Sequence, residues 1–82
     1  MDKTFITRVY NRPGLLVRFA SVLTRLNLNI KSLMVTPDED QKISTISFIF
    51  ESQDDKQTAT VRRNLLKQLD VLTVNDGFAI IN

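Results

Sequence analysis

Asn11-Arg12-Pro13-Gly14-Leu15-Leu16 joins a run of strand-forming residues to a run with helical periodicity. About one helix later comes Asn29-Ile30-Lys31-Ser32-Leu33, close to the start of a second strand-like run. Pro-Gly ends the first strand, and Pro is tolerated in the first turn of a helix, where its missing N–H has no role. Asn11 or Arg12 is then the expected cap, and Asn is the better capping side chain. A strand that turns into a helix at a Pro-Gly pair and returns as a strand points to a mixed α and β fold.

Working outward, Lys3 to Tyr10 reads as a strand, rich in Thr, Phe, Ile, Val and Tyr. Alternation puts Phe5, Thr7 and Val9 on one face and Ile6, Arg8 and Tyr10 on the other. Both faces carry apolar weight, as expected of a central strand or of one whose second face meets a partner. The helix runs from Pro13-Gly14 to about Leu26, with Leu16, Phe19, Leu23 and Leu26 as its apolar stripe, widened by Leu15 and Val22. Asn27 or Asn29 suits the left-handed conformation at its exit.

Leu28 to Thr36 reads as the second strand. Leu28 and Ile30 share one face, whereas Leu33 and Val35 share the other by strict alternation. That switch predicts a bulge near Lys31-Ser32 or a strand buried on both sides. Pro37-Asp38-Glu39-Asp40 is a turn. Lys42 to Glu51 is the antiparallel partner strand, with Ile46, Phe48 and Phe50 on one face. Ser52 to Asp55 caps a second helix reaching about Leu69, on which Val61, Leu65 and Leu69 repeat at helical spacing beside Leu66. Asp70 to Asn75 holds a fourth strand, Val71-Leu72-Thr73-Val74. Asp76-Gly77 reads as a turn, and Phe78-Ala79-Ile80-Ile81 as a further strand or a partner contact.

The order is β-α-β-β-α-β. The expected fold class is α+β: a ferredoxin-like sandwich with an antiparallel sheet and two helices on one face. Residues 1–82 read as one domain. A domain this small buries only about 60–65% of its unfolded surface, and its second sheet face stays partly apolar, so a homodimer is expected.

Composition removes several functions. The 82 residues include no Cys and no His, which excludes disulfides, thiolate metal sites and the commonest general base. Asp38-Glu39-Asp40 lacks the Gly and the distant Glu of a calcium loop, so no metal is expected. Eleven Lys and Arg against nine Asp and Glu leave a net charge of +2, without the clustering that nucleic acid requires. The strand order is shared with RNA-recognition motifs, but the third strand lacks their basic residue, glycine and spaced aromatics. No convergent carboxylate pair, Gly-rich phosphate loop or thiamine-binding motif is present, so no catalytic residues and no cofactor are expected. No apolar stretch is long enough for a membrane span and no signal-peptide layout opens the chain, so the expected location is cytoplasmic.

The positive chemistry lies at the helix start. Backbone N–H groups of Gly14, Leu15 and Leu16 sit at the positive end of a helix dipole and suit a carboxylate. Glycine allows close approach to the backbone. The Asn11 amide oxygen and backbone carbonyls suit an ammonium group, Asn29 suits either end of a zwitterion, and Ile30 suits a branched side chain. Each residue also has a plainer role: a tight turn for Gly14, a cap for Asn11, a strand-start turn for Asn29.

Taken together, Asn11-x-x-Gly14-x-Leu16, Phe19, Leu28-Asn29-Ile30-x-Ser32-Leu33-x-Val35 and the exit Leu66-Lys67-Gln68-Leu69-Asp70-Val71-Leu72-Thr73-Val74 resemble the ACT domain. The branch they resemble is the small regulatory subunit of acetohydroxyacid synthase (acetolactate synthase). The resemblance runs from about Phe5 to Val74. It implies a non-catalytic subunit that binds and activates a thiamine-diphosphate-dependent catalytic large subunit in branched-chain amino acid biosynthesis. It also implies allosteric feedback by a free amino acid, valine, bound between two ACT domains. Asn11, Gly14, Leu15 and Leu16 would form one half of that site, and Asn29 and Ile30 of the neighbouring chain the other. Many such subunits carry a second domain, whereas this sequence ends at Asn82. A free-standing ACT-domain sensor governing another enzyme or transcription is the alternative.

Overall fold

Strand β1 (Asp2–Tyr10) runs through the middle of the sheet and leads into helix α1 (Leu15–Arg25). Strands β2 (Asn29–Pro37) and β3 (Ile43–Glu51) follow as a hairpin, then helix α2 (Asp55–Gln68) and strand β4 (Val71–Gly77). The structure, a computed structural model, describes residues 1–68 and 71–77. The expected contribution of Phe78 to Ile81 lies outside the described residues, as does Leu69. Among the described residues the sheet has four strands in the order β2-β3-β1-β4, with each adjacent pair antiparallel. This is the expected ferredoxin-like architecture, with β1 central. No helix among the described residues is long and apolar enough to cross a membrane.

Strict alternation builds the core. Phe5, Thr7 and Val9 of β1 and Ser44, Ile46, Phe48 and Phe50 of β3 are buried on one sheet face. The helices lay Leu15, Phe19, Val22, Leu23, Val61 and Leu65 onto it. Phe48 meets Phe5 edge to face at 5.9 Å and Phe19 at 5.5 Å, a favoured aromatic geometry. Thr7 has no exposure, and its hydroxyl donates to the Ile46 carbonyl at 2.9 Å, so its burial leaves no unmet polar group.

The division of labour between the helices matters for the site. Phe19 places α1 over β3, towards the β2 edge. Arg62 of α2 stacks over Phe5 at 5.0 Å, donates to the Val74 carbonyl at 3.0 Å and pairs with Asp76, which holds α2 over β1 and β4.

Two features depart from the sequence expectation, and two others decide between alternatives it left open. The buried face of α1 is Leu15, Phe19, Val22 and Leu23, and Leu16 is 49% exposed. The buried stripe is rotated towards Leu15 and Val22, which leaves Leu16 on the outside. The bulge near Lys31 is present, as a register shift between Ile30 and Ser32. Its effect is to bring Ile30, Leu33 and Val35 opposite Phe50, Phe48 and Ile46, onto one face rather than two. Asn27, not Asn29, takes the left-handed conformation at the α1 exit, with φ 56°.

Finally, Asp76-Gly77 is not a turn. Both residues extend β4 by pairing with Phe5 and Thr4. Arg62 neutralises Asp76, and a Cβ on Gly77 would lie 2.9 Å from the Ile6 side chain, so glycine is what lets the strands close there.

The start of α2 follows its expected chemistry. Asp54 Oδ1 accepts from the Gln57 N–H at 2.8 Å, and the Gln57 side chain accepts from the Gln53 N–H at 2.7 Å, a reciprocal cap.

Phe48 contacts three other aromatic rings, and truncating it leaves a cavity where both layers meet. Phe48→Ala should lower the unfolding free energy by about 3–5 kcal/mol. That is a large share of the total for a small domain, so urea denaturation should show a much lower midpoint with the slope retained.

Candidate functional site

The loop after β1 is built by backbone geometry rather than by side-chain capping. Gly14 is the N-cap of α1, with φ 79° and ψ 5°, and no side chain caps the helix. The left-handed φ is what requires glycine here, since a Cβ at position 14 would find no atom within 4 Å. The space above Gly14 is therefore open within the protomer.

Asn11 is not the cap. Its side-chain Nδ2 donates to the Gln41 carbonyl at 2.9 Å, and its backbone N–H donates to the Lys42 carbonyl at 2.9 Å. The β2–β3 loop thus recruits Asn11 and fastens the tail of the hairpin beside the start of α1. That bond commits Nδ2 and leaves Oδ1 as the acceptor of the side chain.

The donors at the helix start are fewer than expected by one. The Leu15 N–H closes a turn onto the Arg12 carbonyl at 3.1 Å. Among the described residues, the N–H groups of Gly14 and Leu16 have no hydrogen-bond acceptor outside the helix ladder, and the first turn carries no acidic side chain. Those groups remain at the positive end of an eleven-residue helix. Leu15 itself is buried in the core, whereas Leu16 is half exposed beside the opening. Arg12 lies over the Tyr10 ring at 5.5 Å.

Asn29 and Ile30 sit elsewhere. Asn29 pairs with Glu51, and Glu51 with Asp2, so all three mark one end of the sheet. Asn11 and Gly14 follow Tyr10 at the opposite end. The strand between them spans roughly 27 Å at about 3.3 Å per residue. One protomer therefore keeps Asn11, Gly14 and Leu16 together but holds them far from Asn29 and Ile30. Ile30 is half buried and packs against the core.

Asn29 lines a polar cleft of about 350 Å³ together with Met1, Asn27, Glu51, Gln53 and Gln57. Its Nδ2 donates to Glu51 Oε2 at 3.3 Å. The neighbouring Lys31 ammonium is committed to Asp2 at 3.0 Å. The Asp2 hydrogen bond, then the Asp2 charge, raises the Lys31 pKa above its usual value, and the Glu51 charge adds in the same direction. Glu51 carries no motif signal in the sequence. Only the β2–β3 register brings it beside Asn29.

The ACT-domain family model matches residues 3–70. The chain is 32% identical over 76 residues to an acetolactate synthase small subunit of Bacillus subtilis, covering 93% of this chain and 44% of that one. It is 33% identical over 76 residues to a probable acetolactate synthase small subunit of Archaeoglobus fulgidus, covering 93% and 47%. The chain thus spans less than half the length of these curated relatives. Among solved structures, the acetolactate synthase small subunit of Thermotoga maritima superposes with a TM-score of 0.85 at 22% identity, covering 98% of this chain and 49% of that one. The ACT domain from GTP pyrophosphokinase of Chlorobium tepidum superposes with a TM-score of 0.81 at 16% identity, covering 94% and 97%. At these identities the two structures bear on the fold alone. The match over residues 3–70 and the βαββαβ architecture agree: the chain belongs to the ACT-domain family.

Proposed function

We propose that this chain is a regulatory, non-catalytic subunit, or the regulatory domain of one, that associates with and activates the catalytic large subunit of acetohydroxyacid synthase. In this reading it binds free valine between two copies of itself and passes that occupancy on as feedback inhibition. The observation that supports it most is the separation of the two half-sites within one protomer. Strand β2 is an edge strand. Two copies paired antiparallel through it set the Asn29 end of one against the Pro37 end of the other, as a two-fold interface requires. Beyond Pro37 lies the loop whose Gln41 carbonyl holds Asn11. The free N–H groups of Gly14 and Leu16 in one copy then face Asn29 and Ile30 of its neighbour.

The chemistry suits a zwitterion with a branched side chain. The carboxylate takes the helix-start donors, Asn29 and Asn11 orient the ammonium group, and Leu16 and Ile30 cover the apolar part. Hydrogen bonds of about 1–1.5 kcal/mol each, stronger where charged, give micromolar to millimolar affinity, a range suited to metabolite sensing. Ligand held only by the paired form stabilises that form, and it changes the hold on the large subunit only through a different affinity for its two states.

Three experiments test this reading. Gly14→Asp carries some strain at the left-handed φ, though Asp is among the few side chains that visit that region and its Cβ meets no atom within 4 Å, and it sets a carboxylate where the ligand's must dock. Calorimetry should show valine binding lost in this variant while thermal unfolding stays cooperative, with a melting temperature lowered only modestly. Leu33 is 48% exposed on β2, and Leu33→Lys should leave a folded protomer that sediments as a monomer. Co-purification with an acetolactate-forming large subunit should raise that subunit's activity, with valine lowering it again. Valine binding without any hold on the large subunit would instead favour a free-standing amino-acid sensor.

A further inference from the structure

We infer that Glu51 is the specificity-determining residue for the ligand's ammonium group, so that the site takes amino acids and rejects the corresponding hydroxy acids. This rests on the reading of a shared amino-acid site given above and adds a residue to it.

The two ends of each protomer carry complementary chemistry. The α1 start offers backbone donors, no acidic residue in the first turn, and Arg12 close by. At the Asn29 end Lys31 pairs with Asp2, and the Glu51 carboxylate stands outside that pair. Among the described residues, Glu51 is the only ionised side chain lining the cleft that contains Asn29. Among the described residues it forms no ion pair; the nearby Lys31 ammonium, on which its charge also acts, makes its ion pair with Asp2 at 3.0 Å. The Met1 amino group donates to the Ser52 carbonyl at 2.8 Å. Asn29 Nδ2 donates to Oε2 of Glu51 and orients the carboxylate, while Oε1 accepts no hydrogen bond among the described residues. A neutral hydroxyl in place of the ammonium would forgo the charge-assisted bond. Asn29 is then a positioning residue that acts through Glu51 as well as a contact.

The test is calorimetric titration of the full chain with L-valine and with (S)-2-hydroxy-3-methylbutanoate, which replaces only the amine. The wild type should bind valine about tenfold or more tighter than the hydroxy acid, the scale of one charge-assisted hydrogen bond. Glu51→Gln should weaken valine by a similar factor and leave the hydroxy acid unchanged, so that discrimination disappears. Glu51→Asp should restore part of the preference. Undiminished preference for valine in Glu51→Gln, or equal loss of both ligands, would overturn the assignment to Glu51 while leaving the shared site standing. A wild type that binds neither ligand would overturn the shared site, and this inference with it.

Discussion

The backbone at the start of α1 has N–H groups that none of the described residues satisfies. Gly14 turns the chain through a left-handed conformation, Leu15 folds back onto Arg12, and no side chain closes what remains. Such donors need water or a ligand. Their position is fixed by the core: Leu15 and Phe19 are buried, and Phe19 stacks on Phe48, so the first turn of α1 cannot drift from the sheet. Asn11 is drawn to the hairpin loop instead of the helix, which leaves the opening above Gly14 clear.

The second constraint is topological. Central strand β1 separates the helix start from the head of β2 by the full length of the sheet, and no rearrangement of loops can join them. In the proposed dimer, the β2 edge provides the remedy. Leu16, Leu33 and Met34 are all 48% exposed or more along that side, although they are large apolar residues. The bulge at Lys31 turns Leu33 onto the helix face, where it extends the apolar surface beside α1. Under the proposed pairing, stability and recognition draw on the same edge: covering it would remove apolar area from water and bring the two proposed half-sites into register.

Most of the fold is legible from periodicity. Alternation in Lys3 to Tyr10 and Lys42 to Glu51 identifies the buried faces, and Asn27, the Lys31 bulge and the Asp54–Gln57 cap follow from local chemistry. What escapes sequence reading depends on contacts between distant segments. Asp76-Gly77 has turn composition, yet Arg62 and the approach of Ile6 make it strand. Leu16 fits a helical stripe, but the stripe's rotation is set by where α1 meets the sheet. Asn11 is a good cap by type, yet the loop at Gln41 competes for it and wins. Glu51 belongs to no pattern at all, because its place beside Asn29 comes from strand register.

The account rests on a site completed by two copies, so ligand occupancy and self-association must be thermodynamically linked. Sedimentation equilibrium across a range of protein concentrations, with and without saturating valine, measures that linkage directly. The account predicts a dimer whose dissociation constant falls by about tenfold or more when valine is present. A chain that stays monomeric at all concentrations, or a dimer equally tight with and without bound valine, would contradict it.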